Sequence, residues 1–180
     1  LIAFALSCMG PIFSQTDYNI MRSLGPYNWA GRMQCVAVRQ GDEIWAGSHS
    51  GGLWRSFTAG AGKRAWGRIT RTPPEAQSVG AIAFDPNNSD FVIIGTGSQD
   101  LPLVRTTTSF EENLGGGIFW SEDGGVTWNK SSLDKTFLVN ASVNDIAFYN
   151  IEGKTRIFAA TTDGLYCSDD MGKTFVQKSH

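Results

Sequence analysis

The strongest constraint on this chain is that it repeats itself three times. Three short apolar runs, Met33-Gln-Cys-Val-Ala-Val38, Val79-Gly-Ala-Ile-Ala-Phe84 and Val143-Asn-Asp-Ile-Ala-Phe148, share one pattern, and each is followed by a polar turn. A second run then follows in each case: Glu43 to Ser48, Phe91 to Thr96 and Arg156 to Thr161. A third follows at Gly52-Leu-Trp-Arg-Ser56, Gly117-Ile-Phe-Trp-Ser121 and Gly164-Leu-Tyr-Cys-Ser168, and a fourth contains Trp66, Trp128 or Phe175. Runs this short, bounded by Gly, Asn, Asp and Pro, read as strands rather than helices. The 21 glycines and the lack of long helix-forming stretches agree.

Each unit therefore predicts four antiparallel strands, A to D, which is the pattern of a β-propeller blade. The expected fold is all-β, a partial propeller of three blades at about 32–70, 78–132 and 142–180. A full ring of this kind takes about four to eight blades, so the three are expected to belong to a larger ring. The remaining blades and domains of its own full-length chain are then its first partners.

Ahead of the repeats, residues 1–15 carry no charge. They are too short to span a bilayer as a helix, so no membrane span is expected. They read as the apolar remnant of a secretory signal, followed by a lead-in segment over 16–31. With Cys8 in that signal, Cys35 and Cys167 remain, one in a strand of each of two repeats, and buried free thiols are expected. A formal net charge of -2 without a basic block argues against nucleic acid as a partner.

The third-to-fourth strand connection carries a motif. Ser121-Glu-Asp-Gly-Gly-Val-Thr-Trp128 and Ser168-Asp-Asp-Met-Gly-Lys-Thr-Phe175 both match Ser-x-Asp-x-Gly-x-Thr-aromatic. The first repeat keeps Ser56 and Gly60 but has Thr58 in the Asp place. The residue types suit a tight turn. Asp123 and Asp170 can accept backbone N–H groups, and Gly125 and Gly172 permit positive φ. Ser121, Ser168, Thr127 and Thr174 complete the hairpins, and Trp128 and Phe175 can pack between sheets. No series of oxygen ligands suggests a metal, and no cofactor is expected.

With this motif in register, the chain resembles the Asp-box (BNR) repeat propellers. These include sialidases, xyloglucanase-type glycoside hydrolases and sortilin-type ectodomains. It is most similar to large secreted proteins of the Bacteroidetes type, on Gly25-Pro26, Gly31-Arg32, Gly51-Gly52-Leu53-Trp54 and Gly95-Thr96-Gly97. The resemblance implies a secreted or cell-surface protein whose hairpin aspartates lie at the blade periphery.

The A–B and C–D loops share one face, so a ligand is expected on the face of the B–C and D–A loops. Candidate ligand-binding residues there are Arg32, His49, Gln99, Asp100, Arg105 and Asp163, with Tyr27 and Trp29 able to stack on a sugar. The resemblance implies that Arg32, which begins the first innermost strand, could hold a substrate carboxylate, although the Pro of the sialidase pattern is missing after it. It also implies a catalytic Asp where His49 stands. No catalytic residue is therefore nominated. The expected function is non-catalytic binding of an extracellular glycan or protein. The alternative is a truncated glycoside hydrolase of exo-sialidase or xyloglucanase type.

Overall fold

The computed structural model describes residues 32–62, 64–73, 76–97, 115–133 and 141–179. The proposed signal remnant and lead-in lie outside these residues. The described chain forms three sheets, antiparallel except for one short edge strand, and no helix. The first contains β1 (Met33–Val38), β2 (Ile44–Ser48), β3 (Leu53–Ser56) and β4 (Trp66–Arg68). The second contains β5 (Val79–Asp85), β6 (Asn88–Thr96), β7 (Ile118–Ser121) and β8 (Asn129–Lys130). The third contains β10 (Val143–Ile151), β11 (Lys154–Thr161), β12 (Gly164–Ser168) and β13 (Thr174–Ser179), joined at its edge by β9 (Ser132–Leu133). This is the expected partial propeller of three blades.

The sheets are equivalent in register as well as in strand order. The first strand of each carries an irregularity at its second position, between Met33 and Cys35, Val79 and Ala81, and Val143 and Asp145. Past it, Ala37, Ala83 and Ala147 face Trp45, Ile93 and Phe158. Those three in turn face Arg55, Trp120 and Cys167 on the third strands. Directly opposed residues share a face of the sheet, so each row defines the side turned to the next blade.

Two apolar cores fill the seams. The first joins Trp45 and Leu53 of sheet one to Val79, Ile82, Val92, Ile94 and Phe119 of sheet two. The second joins Ala81, Ile93 and Ile118 of sheet two to Val143, Ile146, Ile157, Ala159, Tyr166 and Phe175 of sheet three. A fully buried Val, Leu or Ile side chain contributes about 1.5–3 kcal/mol, so the seams rather than the thin sheets hold the structure together.

Glycine sets how closely the sheets approach. A Cβ on Gly47 would lie 2.7 Å from the carbonyl oxygen of Val79, and one on Gly95 would lie 2.3 Å from Cγ1 of Val143. Val79 and Val143 begin the first strands of the following sheets and seat in these gaps. The third sheet has Ala160 at the same register, and it is exposed.

Polar contacts close the rims. Arg39, after β1, donates through Nε to the Ser89 carbonyl at 2.7 Å and pairs with Asp90, binding sheet one to sheet two. It also holds Glu43 at 3.0 Å. At the second seam Ser131 donates to the Gly172 carbonyl at 2.6 Å, and Ser132 N–H donates to the Lys173 carbonyl at 2.8 Å.

Two expectations need adjustment. Ser132 was expected to end the second blade, but through β9 it pairs in parallel with Thr174 and belongs to the third sheet. Trp128 precedes the fourth strand of its blade rather than lying in it.

Candidate functional site

The conserved geometry lies in the hairpins between third and fourth strands. In the second blade the Ser121 hydroxyl accepts from the N–H of Gly125 at 2.9 Å and donates to Asp123 at 2.7 Å. Asp123 also accepts from the N–H groups of Val126 and Thr127 at 2.9 and 2.8 Å, and from the Thr127 hydroxyl at 2.6 Å. The third blade repeats this. Ser168 accepts from Gly172 N–H at 2.9 Å and donates to Asp170 at 2.8 Å. Asp170 accepts from Thr174 through its N–H at 2.9 Å and its hydroxyl at 2.6 Å.

The first blade keeps half of the arrangement. Ser56 accepts from Gly60 N–H at 2.9 Å, while Thr58 turns its hydroxyl to the Ala61 carbonyl at 2.9 Å. All three hairpins place two consecutive residues at positive φ: Ala59 and Gly60, Gly124 and Gly125, Met171 and Gly172.

These bonds set the chemistry of the aspartates. The Thr127 hydroxyl and N–H, helped by Ser121, hold the Asp123 carboxyl well below the usual carboxylate range. Burial pushes Asp170 the other way, but the hydroxyl and N–H of Thr174 outweigh it, so its carboxyl is also lowered. A general acid working near neutrality needs a raised value. Both groups anchor their own turns through these bonds. The thiols are equally unsuited to nucleophilic work. Both described cysteines are free, Cys35 half-buried and Cys167 buried. Burial pushes Cys35 up to about 12 and also raises Cys167, and a thiol needs the opposite shift to attack.

On the opposite face, Arg32 and His49 come together. The His49 N–H donates to the Arg32 carbonyl at 2.8 Å. Gly97 to Ser78 and Thr162 to Ser142 make the same contact at 3.0 Å in the other sheets. The heads of the innermost strands and the ends of the second strands thus share one edge, with Arg32 exposed on it. Asp163 lies on the same side but serves its own turn. It accepts from the Tyr166 hydroxyl at 2.8 Å, its N–H donates to Thr161, and its carbonyl accepts from Gln177 at 2.6 Å. Gln99, Asp100 and Arg105 lie outside the described residues. No cluster of three or more His, Cys, Asp or Glu able to hold a metal occurs among the described residues. No helix among them is long and apolar enough to cross a membrane.

Sequence reasoning did not single out two hollows on the hairpin side. One, of about 530 Å³, lies beside the third sheet between Ile151, Lys154, Thr155, Arg156, Asp169 and Met171. Its Arg156 and Asp169 pair at 2.5 Å. The other, of about 230 Å³, lies on the first seam and is lined by Arg55, Arg68, Ile69, Thr70, Arg71, Gly125 and Val126. The arginines fall at strand ends and in a short connection, and no motif marks them.

Among solved structures, the chain is similar to an ancestral GH74 enzyme, with a TM-score of 0.61 and 22% identity over 83% of this chain and 18% of that one. It is also similar to the GH74 xyloglucanase from Xanthomonas campestris, with a TM-score of 0.55 and 17% identity over 84% of this chain and 24% of that one. The chain thus spans less than a quarter of each of these enzymes. No family model and no curated protein matches it. At these identities the likeness establishes the propeller-type fold.

Proposed function

We propose that this chain forms three blades of a larger Asp-box propeller on a secreted or cell-surface protein, and that this propeller binds an extracellular glycan or protein without catalysis. The observation behind the non-catalytic reading is that the motif aspartates, Asp123 and Asp170, are committed to hydrogen bonds within their own turns rather than offered to a ligand. The larger ring is supported by the third sheet. Its row Ala147, Phe158 and Cys167 is the register equivalent of rows that the next blade covers in sheets one and two. Beside that row Leu165 is 36% exposed, whereas the matching Leu53 and Ile118 are fully buried. An apolar face of this kind marks an interaction surface.

A second reading is a glycoside hydrolase whose catalytic carboxylates lie outside the described residues. It is favoured by the glycoside hydrolases named among the similar structures. The two separate in one experiment. A longer reading frame containing this chain is assayed on aryl sialosides and β-glucans, and separately on a glycan array. Binding without turnover is expected. Turnover that disappears in Arg32→Ala would replace the binding reading with the hydrolase reading.

A further inference from the structure

The two seams differ at one place. At the second seam, Trp120 of sheet two lies beneath the following hairpin, with the Lys173 ammonium 5.9 Å from its ring centroid. Ser132 and Leu133 then leave sheet two and zip onto β13. The equivalent positions at the first seam follow from register. Arg55 faces Trp45 as Trp120 faces Ile93. Ile69 N–H donates to the Leu53 carbonyl as Ser131 N–H does to that of Ile118. Thr70 and Arg71 therefore stand where Ser132 and Leu133 stand, and Val126 stands where Lys173 stands.

Thus an aromatic and an aliphatic residue of one seam are both arginine in the other, and among the described residues no strand like β9 closes the first seam. The result is the 230 Å³ groove with Arg55, Arg68 and Arg71 along it. It continues into a hollow of about 170 Å³ that shares Arg68, Ile69 and Thr70 and adds Thr72 and Gln77. Among the described residues no carboxylate lines either hollow, and none pairs with the three arginines. Arg68 lines the groove from the other face of its strand, with its guanidinium close to Gly52, and the like charges of Arg55 and Arg71 repel each other unless an anion joins them.

We propose that this groove binds an acidic polysaccharide through its carboxylate or sulfate groups. Guanidinium forks suit such oxyanions, forming paired charge-assisted hydrogen bonds. The two continuous hollows suit a chain ligand better than a single ion. The Arg55 guanidinium lies 4.9 Å from the centroid of the Phe57 ring, and that ring is 60% exposed, giving a sugar an aromatic surface beside the charges. The choice of a polysaccharide rests on the glycan-binding reading above, whereas the groove itself does not.

The test uses the chain with four probes: heparin, polygalacturonate, poly-L-glutamate and neutral xyloglucan, in calorimetric titrations at low and moderate salt. Heparin or polygalacturonate should bind, more weakly as salt rises. Arg55→Gln and Arg71→Leu should each weaken binding roughly five- to tenfold. Leu is already accommodated at the matching position of the second seam, so Arg71→Leu should fold. Lys178→Gln, which removes an exposed cation of the third sheet, should bind as the parent does. Tighter binding of poly-L-glutamate than of either acidic polysaccharide would assign the groove to an acidic protein and overturn the proposal. So would polysaccharide binding that is indifferent to Arg55 and Arg71. Binding of xyloglucan alone would overturn it while leaving the glycan reading standing, and binding of no glycan would count against both.

Discussion

If the sheets stack as equivalent blades, the same small change should have opposite consequences at equivalent positions. Gly95 and Ala160 share a register position, the first inside a seam and the second exposed on the open face. In Gly95→Ala the new Cβ would meet Val143 Cβ at 2.4 Å and Cγ1 at 2.3 Å. Carbon atoms prefer about 3.5–4.0 Å, so relief needs a shift of about 1 Å or more. A rotamer change of Val143 does not supply it, because its Cβ is fixed to the backbone. Either the third sheet moves away or the seam loses packing, and overpacking of this kind costs about 1–3 kcal/mol. For a chain of this size that lowers the melting temperature by roughly 2–4 °C per kcal/mol.

Ala160→Gly removes a methyl group that touches no following sheet. Only the backbone entropy of glycine, about 0.5–1 kcal/mol, should be lost. Urea denaturation of the parent and both variants measures the contrast. Equal losses in the two variants, or a Gly95→Ala protein as stable as the parent, would refute the stacking argument.

Three further outcomes follow from the rims and hairpins. Arg39→Ala should cost about 2 kcal/mol in the same denaturation assay, because it removes the link to Ser89 and Asp90 and leaves half-buried Glu43 without its cation. Ala59→Gly should raise stability by up to about 1 kcal/mol. It relieves a non-glycine residue at φ 49° where the second hairpin already has glycine, and the gain exceeds the entropy that glycine adds. The lowered carboxyls of Asp123 and Asp170 make stability depend on acid. Their contribution is complete above the unfolded value of about 4 and is lost as pH falls through the folded values. Asp123→Asn should flatten that acid limb of the stability curve, and a limb unchanged in the variant would show that the hairpin bonds do not set it.

Much of this fold was legible because strand pairing and hairpin chemistry leave local marks. Four short apolar runs per repeat give the strands, and Ser121, Asp123 and Gly125 give the turn because each has a specific partner within six residues. The features that escaped depend on contacts between repeats. The Arg39 clamp reaches residues 50 and 51 positions away, and nothing around Arg39 announces it. The two-residue strand β9 is too short to carry a period. Gly47 and Gly95 look like ordinary strand glycines until the valines of the next sheet are seen against them. The candidate ligand residues divided in the same way. The Asp163-Gly164 turn was readable, and Asp163 serves it, whereas the cationic groove appears only when two seams are laid side by side.

The account rests most heavily on the open face of the third sheet. Carbene footprinting of Leu165, read by mass spectrometry, tests it directly in this chain and in a longer protein that contains it. Leu165 should label strongly in the short chain and become protected in the long one, as Leu53 and Ile118 are in both. Equal labelling of Leu165 in the two proteins would contradict the claim that a further blade docks there.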